Sequence, residues 1–157
     1  MSGSEAVVGG VRQEVARITG HAGMECVWIF LTLNQKAMAR AYAEEHGKRY
    51  ADLNLIVVHL GGGISVGAHC KGEVIDVNNA LEGEGPFSPE RMGGLPALAV
   101  AKWMASGKYT VEQISKFITS KGGFVAHFGT NSAMEISRRA EKGDKRAALH
   151  KDAMCAN

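Results

Sequence analysis

The segment HLGGGISVGAH, residues 59–69, contains the residue types that could bind a phosphate group. Three consecutive glycines, Gly61 to Gly63, carry no Cβ, so their backbone N–H groups can approach an anion closely. Ser65 adds a hydroxyl donor after the turn, and His59 adds a side-chain donor before it. The spacing matches neither GxxxxGK[ST] nor GxGxxG. From composition, a phosphate site and a tight structural turn therefore stay equally open.

Arg91 lies in a long glycine- and proline-rich segment, residues 78–96, which has no clear helical or strand periodicity. Loops of this length in a compact domain are usually functional or disordered. A planar guanidinium can bind two oxygens at once, so Arg91 is a candidate for stabilising a transferring phosphoryl group. The alternative interpretation is a surface arginine that pairs with a nearby acid.

Asp76 stands near the end of a predicted strand, where it could hold a Mg²⁺-bound water or support a loop. A turn or capping role fits this single carboxylate equally well. His59 and His69 suggest a metal site, but no third ligand stands at a convincing spacing. We therefore expect satisfied core histidines and no direct metal ligand.

Three strands are predicted around the glycines. NLIVVHL, residues 54–60, is a continuous apolar run typical of a strand buried on both faces. ISVGAH, residues 64–69, alternates and places Ile64 and Val66 on one face, and VIDV, residues 74–77, follows a tight turn.

Helices are predicted on both sides of these strands. The first is expected to begin at a cap on Asn34, with Met38 and Tyr42 on one face and Lys36 on a solvated face. After the long loop, Pro96 can open a second helix. The chain then has the capping-box spacing of residues 110–113 and helical patterns at roughly 132–141 and from 144 onward. This order predicts part of an α/β domain, with a three-stranded antiparallel β core flanked by helices.

The composition of the chain indicates which classes of binding partner and which cellular compartment to expect. The chain has 157 residues, 45% of them hydrophobic, which is enough for one globular domain with a core. A net charge of +2 predicts neither nucleic-acid binding nor attachment to an anionic membrane. The three cysteines form no CxxC pair, and the first residues lack signal-peptide features, so a cytoplasmic location is expected. Residues 1–10, small and glycine-rich, are interpreted as a flexible lead-in.

Three segments closely resemble the acetate-kinase family and, within it, the butyrate kinases. They are LNQKAMARAYAEEHGK, NLIVVHLGGGISVGAHCKGEVIDVNNALEGEGPFSPERMGGLP and SGKYTVEQISKFITSKGGFVAHFGTN. The resemblance extends from about residue 15 to the C-terminus. It implies a partial ribonuclease-H-like domain of the actin and Hsp70 type. Residues 11–157 are accordingly expected to be a fragment that is truncated at both ends relative to the family.

The resemblance also implies roles for the matched residues. Arg91 corresponds to the arginine that stabilises charge on the phosphoryl group during transfer. Such kinases transfer the γ-phosphoryl of ATP to a short-chain carboxylate such as butanoate, with Mg²⁺, giving ADP and an acyl phosphate. A homo-oligomer formed through the family's dimer interface is expected. The family's second phosphate loop, which contacts the ATP phosphates, corresponds to the segment that holds His59, Leu60, Gly61, Gly62, Gly63 and Ser65.

The chain departs from the family pattern at several positions. The family's catalytic aspartate, its first phosphate loop and its later adenosine motif have no counterpart here. Leu31 stands where the family usually has a histidine that helps to stabilise the transition state. Ser132 and Met134 replace the aspartate and arginine of a motif near the adenine pocket. A non-catalytic remnant that retains a phosphate-binding turn therefore stays open, as does an interaction module built on the helices after Pro96.

Overall fold

The computed structural model describes residues 20–24 and 31–157, with only the backbone described for Leu31 and Thr32. The predicted lead-in, residues 1–10, lies outside the described residues. The described chain divides into two compact units. The first contains the described residues up to His59 together with Ser65–Asn79, and the second contains Leu60–Ile64 and Ala80–Asn157.

The first unit combines a helix with a three-stranded antiparallel sheet, as predicted. Strand β2 pairs antiparallel with β3, with an irregularity in register between Ala68 and His69. The two residues between these strands, Lys71 and Gly72, both have positive φ, 49° and 88°. Such a two-residue turn follows the right-handed twist of the strands that it joins. The bounds are helix α1 Leu31–Glu45 and strands β1 Asn54–Leu60, β2 Ile64–Cys70 and β3 Glu73–Val77.

The face of β2 that is buried along its length is the one that carries Ser65, Gly67 and His69, and the alternation by itself did not show which face this would be. Ser65, Gly67 and His69 are buried, whereas Val66 is exposed. A Cβ on Gly67 would overlap Gln35 Oε1 of α1. The helix therefore approaches β2 closely, and only a strand face of small or hydrogen-bonding side chains allows that approach.

Helix α1 differs from its prediction in start and orientation. It begins at Leu31, so Asn34 lies inside the first turn and does not cap it. Met38 and Tyr42 are exposed, while Lys36, assigned above to a solvated face, is buried. The face of α1 that is buried consists of Gln35, Lys36, Ala39 and Ala43.

Strand β1 lies at the edge of the sheet, and its apolar side chains are largely exposed. Ile56 is 67% exposed and Leu60 is 74% exposed. The prediction of a strand buried on both faces is therefore wrong for the described chain. An apolar run indicates such burial only where other layers cover both faces, and no described element covers this one.

The second unit consists of helices that follow the long loop. The predicted capping box of α3 is confirmed, because the Thr110 and Gln113 side chains each bond the other residue's backbone N–H. Ser132 and Asp144 cap α5 and α6 by accepting from backbone N–H groups. No helix in the described ranges is long and apolar enough to cross a bilayer. The helices are α2 Ala97–Ala105, α3 Val111–Thr119, α4 Gly123–Phe128, α5 Ala133–Glu141 and α6 Lys145–Ala156.

A small apolar core holds α4, α5 and α6 together. Phe124, Ile136 and Ala147 are fully buried in it. The Phe87 ring meets the Phe124 ring edge-to-face at 6.3 Å, which ties the long loop to α4. This core therefore positions the loop that carries Arg91.

Phe124→Ala is expected to lower the free energy of unfolding of the second unit by about 3–5 kcal/mol, because it leaves a cavity in the core. Urea denaturation followed by circular dichroism measures this change. Met134→Ala, at a 63% exposed position on α5, is the control and should change stability by less than about 0.5 kcal/mol. Equal losses in the two variants would contradict the assigned core.

Candidate functional site

The glycine turn, residues 61–63, is bonded to the loop that carries Arg91. Ser88 Oγ and Glu90 N both donate to Gly62 O, at 2.6 and 3.1 Å. The N–H groups of Gly62 and Gly63 have no hydrogen-bond partner among the described residues. The turn therefore directs its carbonyl at the neighbouring loop and leaves two donors for a ligand.

A side chain at the second or third glycine of the turn would displace the side chain of Glu90 or Arg91. A Cβ on Gly62 would lie 2.7 Å from Glu90 Oε2, and one on Gly63 would lie 2.7 Å from Arg91 Nε. Real Cβ atoms essentially never make contacts this short. The two glycines thus leave room for the Glu90 and Arg91 side chains, which pack against the turn.

The arginine loop, residues 88–92, is held on its other side by the junction of α3 and α4. Gly122 N donates to Glu90 O at 2.9 Å, and Met92 N donates to Ile118 O at 3.1 Å. Within the loop, Ser88 N donates to Arg91 O at 3.1 Å. The backbone that carries Arg91 is therefore fixed from both sides.

The Arg91 side chain is anchored by carbonyl groups. Its Nη1 donates to Leu81 O at 3.0 Å and to Thr119 O at 2.9 Å. Its Nε is buried next to Gly63 without a partner, and its Nη2 has none among the described residues. No described acid pairs with Arg91, so the surface ion pair considered above is not formed. Backbone carbonyls therefore hold the guanidinium through Nη1, and Nη2 is its remaining terminal nitrogen without a described partner.

Glu90 and Asn131 are site residues that the sequence analysis missed. The Glu90 carboxylate covers Gly62 and accepts a hydrogen bond of 2.6 Å from Asn131 Nδ2. Asn131 directly precedes Ser132, the cap of α5. The two residues stand 41 positions apart in the chain, so no local pattern could have indicated the contact.

The structure assigns the other predicted site residues as follows. His59 and Asp76 are exposed and belong to the first unit, where Asp76 pairs with Ala68 across the sheet. Leu60 is exposed at the end of β1 and belongs to the second unit. The backbone of Leu31 begins α1, and its side chain lies outside the described residues. The described ranges contain no cluster of three or more His, Cys, Asp or Glu residues that could hold a metal ion.

Ser65 takes part in a buried polar network instead of facing solvent. Its hydroxyl accepts a hydrogen bond of 3.3 Å from Gln35 Nε2. Gln35 Oε1 can only accept, so His69 Nε2 donates to it at 3.3 Å, and His69 Nδ1 accepts from the Tyr50 hydroxyl at 2.6 Å. His69 is thus a satisfied, neutral core histidine, and the geometry favours a structural role for Ser65.

An apolar cavity of about 680 Å³ borders the arginine loop within the second unit. Three mutually packed aromatic rings form one wall of it. The size and lining suit an apolar group of a small molecule. The residues that line it include Phe87, Met92, Leu95, Trp103, Tyr109, Phe117 and Lys121.

The acetokinase family model matches residues 32–156. The chain is 59% identical over 133 residues to a probable butyrate kinase of Phocaeicola vulgatus, covering 85% of this chain and 38% of that protein. It is 51% identical over 142 residues to butyrate kinase 2 of Clostridium acetobutylicum, covering 90% and 40%. The chain therefore spans about two fifths of the length of these curated relatives.

Solved structures of similar fold are kinases of acetate and propionate. The chain matches Porphyromonas gingivalis acetate kinase with a TM-score of 0.68 and 24% identity, covering 74% of this chain and 30% of that one. The match to a propionate kinase from Francisella tularensis has a TM-score of 0.69 and 25% identity, and it covers 78% of this chain and 32% of that one. The match to acetate kinase from Entamoeba histolytica has a TM-score of 0.73 and 15% identity, and it covers 89% of this chain and 37% of that one. These similarities confirm the prediction of a partial α/β fold of the actin and Hsp70 type.

The pKa of His69 is lowered by burial and, less strongly, by the nearby Lys36 ammonium. The unfolded chain takes up this proton near pH 6.5, so the neutral native histidine adds stability that is complete above about pH 6.5 and is lost as the pH falls. We expect the first unit to lose stability between pH 7.5 and pH 5.5 in urea unfolding followed by NMR. His69→Gln should reduce that loss. A pH dependence that His69→Gln leaves unchanged would contradict the assignment.

Proposed function

The chain belongs to the acetokinase family, and on that premise we propose that it carries the phosphate loop and the charge-stabilising arginine of a short-chain carboxylate kinase. The reaction is ATP plus butanoate to ADP plus butanoyl phosphate. The observation that supports the proposal is the contact between the glycine turn and Arg91. Both offer unpartnered N–H donors within the second unit.

The glycine turn suits the phosphates of ATP. Gly62 and Gly63 present two backbone N–H groups without described partners, and the absence of Cβ lets phosphate oxygens come close. His59 and Leu60 precede this turn and complete the proposed phosphate loop. Ser65 is the member of the predicted set that we assign to structural support, because Gln35 already bonds its hydroxyl.

Arg91 is the proposed catalytic residue. In phosphoryl transfer the protein contributes mainly positioning and electrostatic stabilisation. Two carbonyls hold Nη1, so the guanidinium is already oriented, and Nη2 is the nitrogen proposed to bind an oxygen of the transferring group. A preorganised cation lowers the barrier without paying for reorganisation during the reaction.

Mg²⁺ is proposed to accompany the ATP. When bound, it would neutralise charge on the phosphate oxygens, and it is usually held by one or two carboxylates plus phosphates. The unpartnered Arg91 Nη2 and the side-chain-free turn fit a triphosphate. Asp76 is exposed and is the proposed support for a Mg²⁺-bound water.

We further propose a cytoplasmic homo-oligomer, formed through the family's dimer interface, without nucleic-acid or membrane partners.

A phosphate-binding protein without catalysis is the second candidate. Met134 is apolar and 63% exposed, so it cannot pair with a nucleotide as an arginine could. The Ser132 hydroxyl already accepts from Glu135 N at 3.2 Å as the cap of α5. Met134 and Ser132 therefore support a protein that contacts the nucleotide weakly while its glycine turn can still bind phosphate.

Arg91→Ala is expected to lower acyl-phosphate formation by at least about 10³-fold, in the range seen for arginines that stabilise phosphoryl transfer. ATP, Mg²⁺ and butanoate are supplied, and hydroxylamine traps the product as a hydroxamate. Arg138→Ala, an exposed arginine on α5, is the control and should leave the rate unchanged. Turnover that survives Arg91→Ala contradicts the assigned role. Absent turnover with intact triphosphate binding supports the second candidate.

Gly63→Ala is expected to weaken the binding of inorganic tripolyphosphate by about tenfold or more, because the methyl group collides with Arg91 Nε and displaces it. Calorimetric titration measures the affinity. Gly94→Ala is the matched control, since its Cβ would meet only Gly85 O at an ordinary 3.6 Å. Equal effects of the two substitutions would show that the collision at the turn has no bearing on binding.

A further inference from the structure

We propose that Ser88 is a positioning residue that couples the glycine turn to Arg91. The inference rests on the proposed function, because the coupling matters only if both parts bind one phosphate chain. No role for Ser88 follows from the chemistry of a serine in a proline-rich loop. Its role comes from the two groups that its side chain joins.

One oxygen atom bonds both parts of the site. Ser88 Oγ donates to Gly62 O at 2.6 Å and accepts from Arg91 N at 3.2 Å. Ser88 is fully buried, so water cannot replace either bond at low cost. A change in the position of the turn is therefore transmitted to the backbone that carries the guanidinium.

The arginine loop is bonded to the helices by one set of hydrogen bonds and to the glycine turn by another, and the Ser88 hydroxyl belongs to the second set. On the side of α3 and α4, the Gly122 and Met92 N–H groups hold the loop. On the side of the turn, the described hydrogen bonds of the loop are those of Ser88 Oγ and Glu90 N to Gly62 O. Removing the Ser88 hydroxyl thus loosens the turn relative to Arg91 and leaves the loop attached to the helices.

Loss of the Ser88 hydroxyl is expected to shift the N–H donors of the glycine turn relative to the guanidinium donors of Arg91. A site must hold its ligand groups within about 0.5 Å of the productive geometry to use them together. Without Ser88 Oγ, Gly62 O keeps one donor and Arg91 N loses its partner. A triphosphate held by the turn would then meet a guanidinium that is no longer in register.

A double-mutant cycle with inorganic tripolyphosphate tests the coupling. Ser88→Ala is expected to weaken binding about tenfold in the unchanged chain but twofold or less in the Arg91→Ala background, because contacting residues are not additive. A purely structural serine would weaken binding equally in both backgrounds. Equal losses in the two backgrounds would overturn the proposal.

Two further variants isolate the cause. Ser106→Ala removes the same pair of bonds elsewhere in the second unit, since Ser106 Oγ donates to Trp103 O and accepts from Lys108 N. It should leave binding unchanged. Ser88→Cys keeps the unbranched shape of the side chain, with a larger γ atom that is only a weak donor, so it should behave like Ser88→Ala, including in its dependence on Arg91. Full binding by Ser88→Cys would overturn the proposal.

NMR separates this inference from the proposed function. If the unchanged chain fails to bind tripolyphosphate, the proposed function fails. The coupling between the turn and Arg91 is then tested by NMR chemical shifts without a ligand. Ser88→Ala should shift both the Gly63 N–H and the Arg91 Nε–H, neither of which bonds Ser88 directly. Chemical-shift changes confined to the arginine loop, with the Gly63 N–H unchanged, would overturn the proposed coupling.

Discussion

The carbonyl oxygen of Gly62 accepts two hydrogen bonds from the arginine loop, and the site in the second unit depends on this contact. The Glu90 and Arg91 side chains also pack against the turn, so a Cβ at Gly62 or Gly63 would have to displace one of them. Because the carbonyl faces the loop, the N–H groups of Gly62 and Gly63 have no partner among the described residues. The same glycines that allow this packing are the ones proposed to bind phosphate.

The way in which Arg91 is held preserves its charge. Backbone carbonyls orient the guanidinium through Nη1 without neutralising it, whereas a carboxylate partner would compete with a phosphate for the same donors. Glu90, the carboxylate beside the turn, accepts from the Asn131 amide. The amide of Asn131, and not the Arg91 guanidinium, is thus the described hydrogen-bond partner of the Glu90 carboxylate.

The first unit buries a polar network beside apolar residues such as Val74 and Val77. Gln35 and His69 form a buried hydrogen-bonded chain with Ser65 and Tyr50, and Gly67 makes room for it. A network of this kind is stable only when every member is satisfied, which fixes the neutral tautomer of His69. The apolar side chains of β1, such as Ile56, lie largely exposed in the described chain.

The sequence by itself determined the three strands, the capped helices after the long loop and the glycine turn, because these depend on local periodicity and residue chemistry. It also indicated Arg91 as a candidate, whose role remains a proposal. It also determined the family through its matched segments. Only the tertiary structure decided which face of β2 is buried, since alternation shows two faces but not which of them a helix covers. Likewise, Ser88 and Asn131 reach partners 26 and 41 residues away. Such contacts depend on how distant segments pack, and no local pattern encodes them.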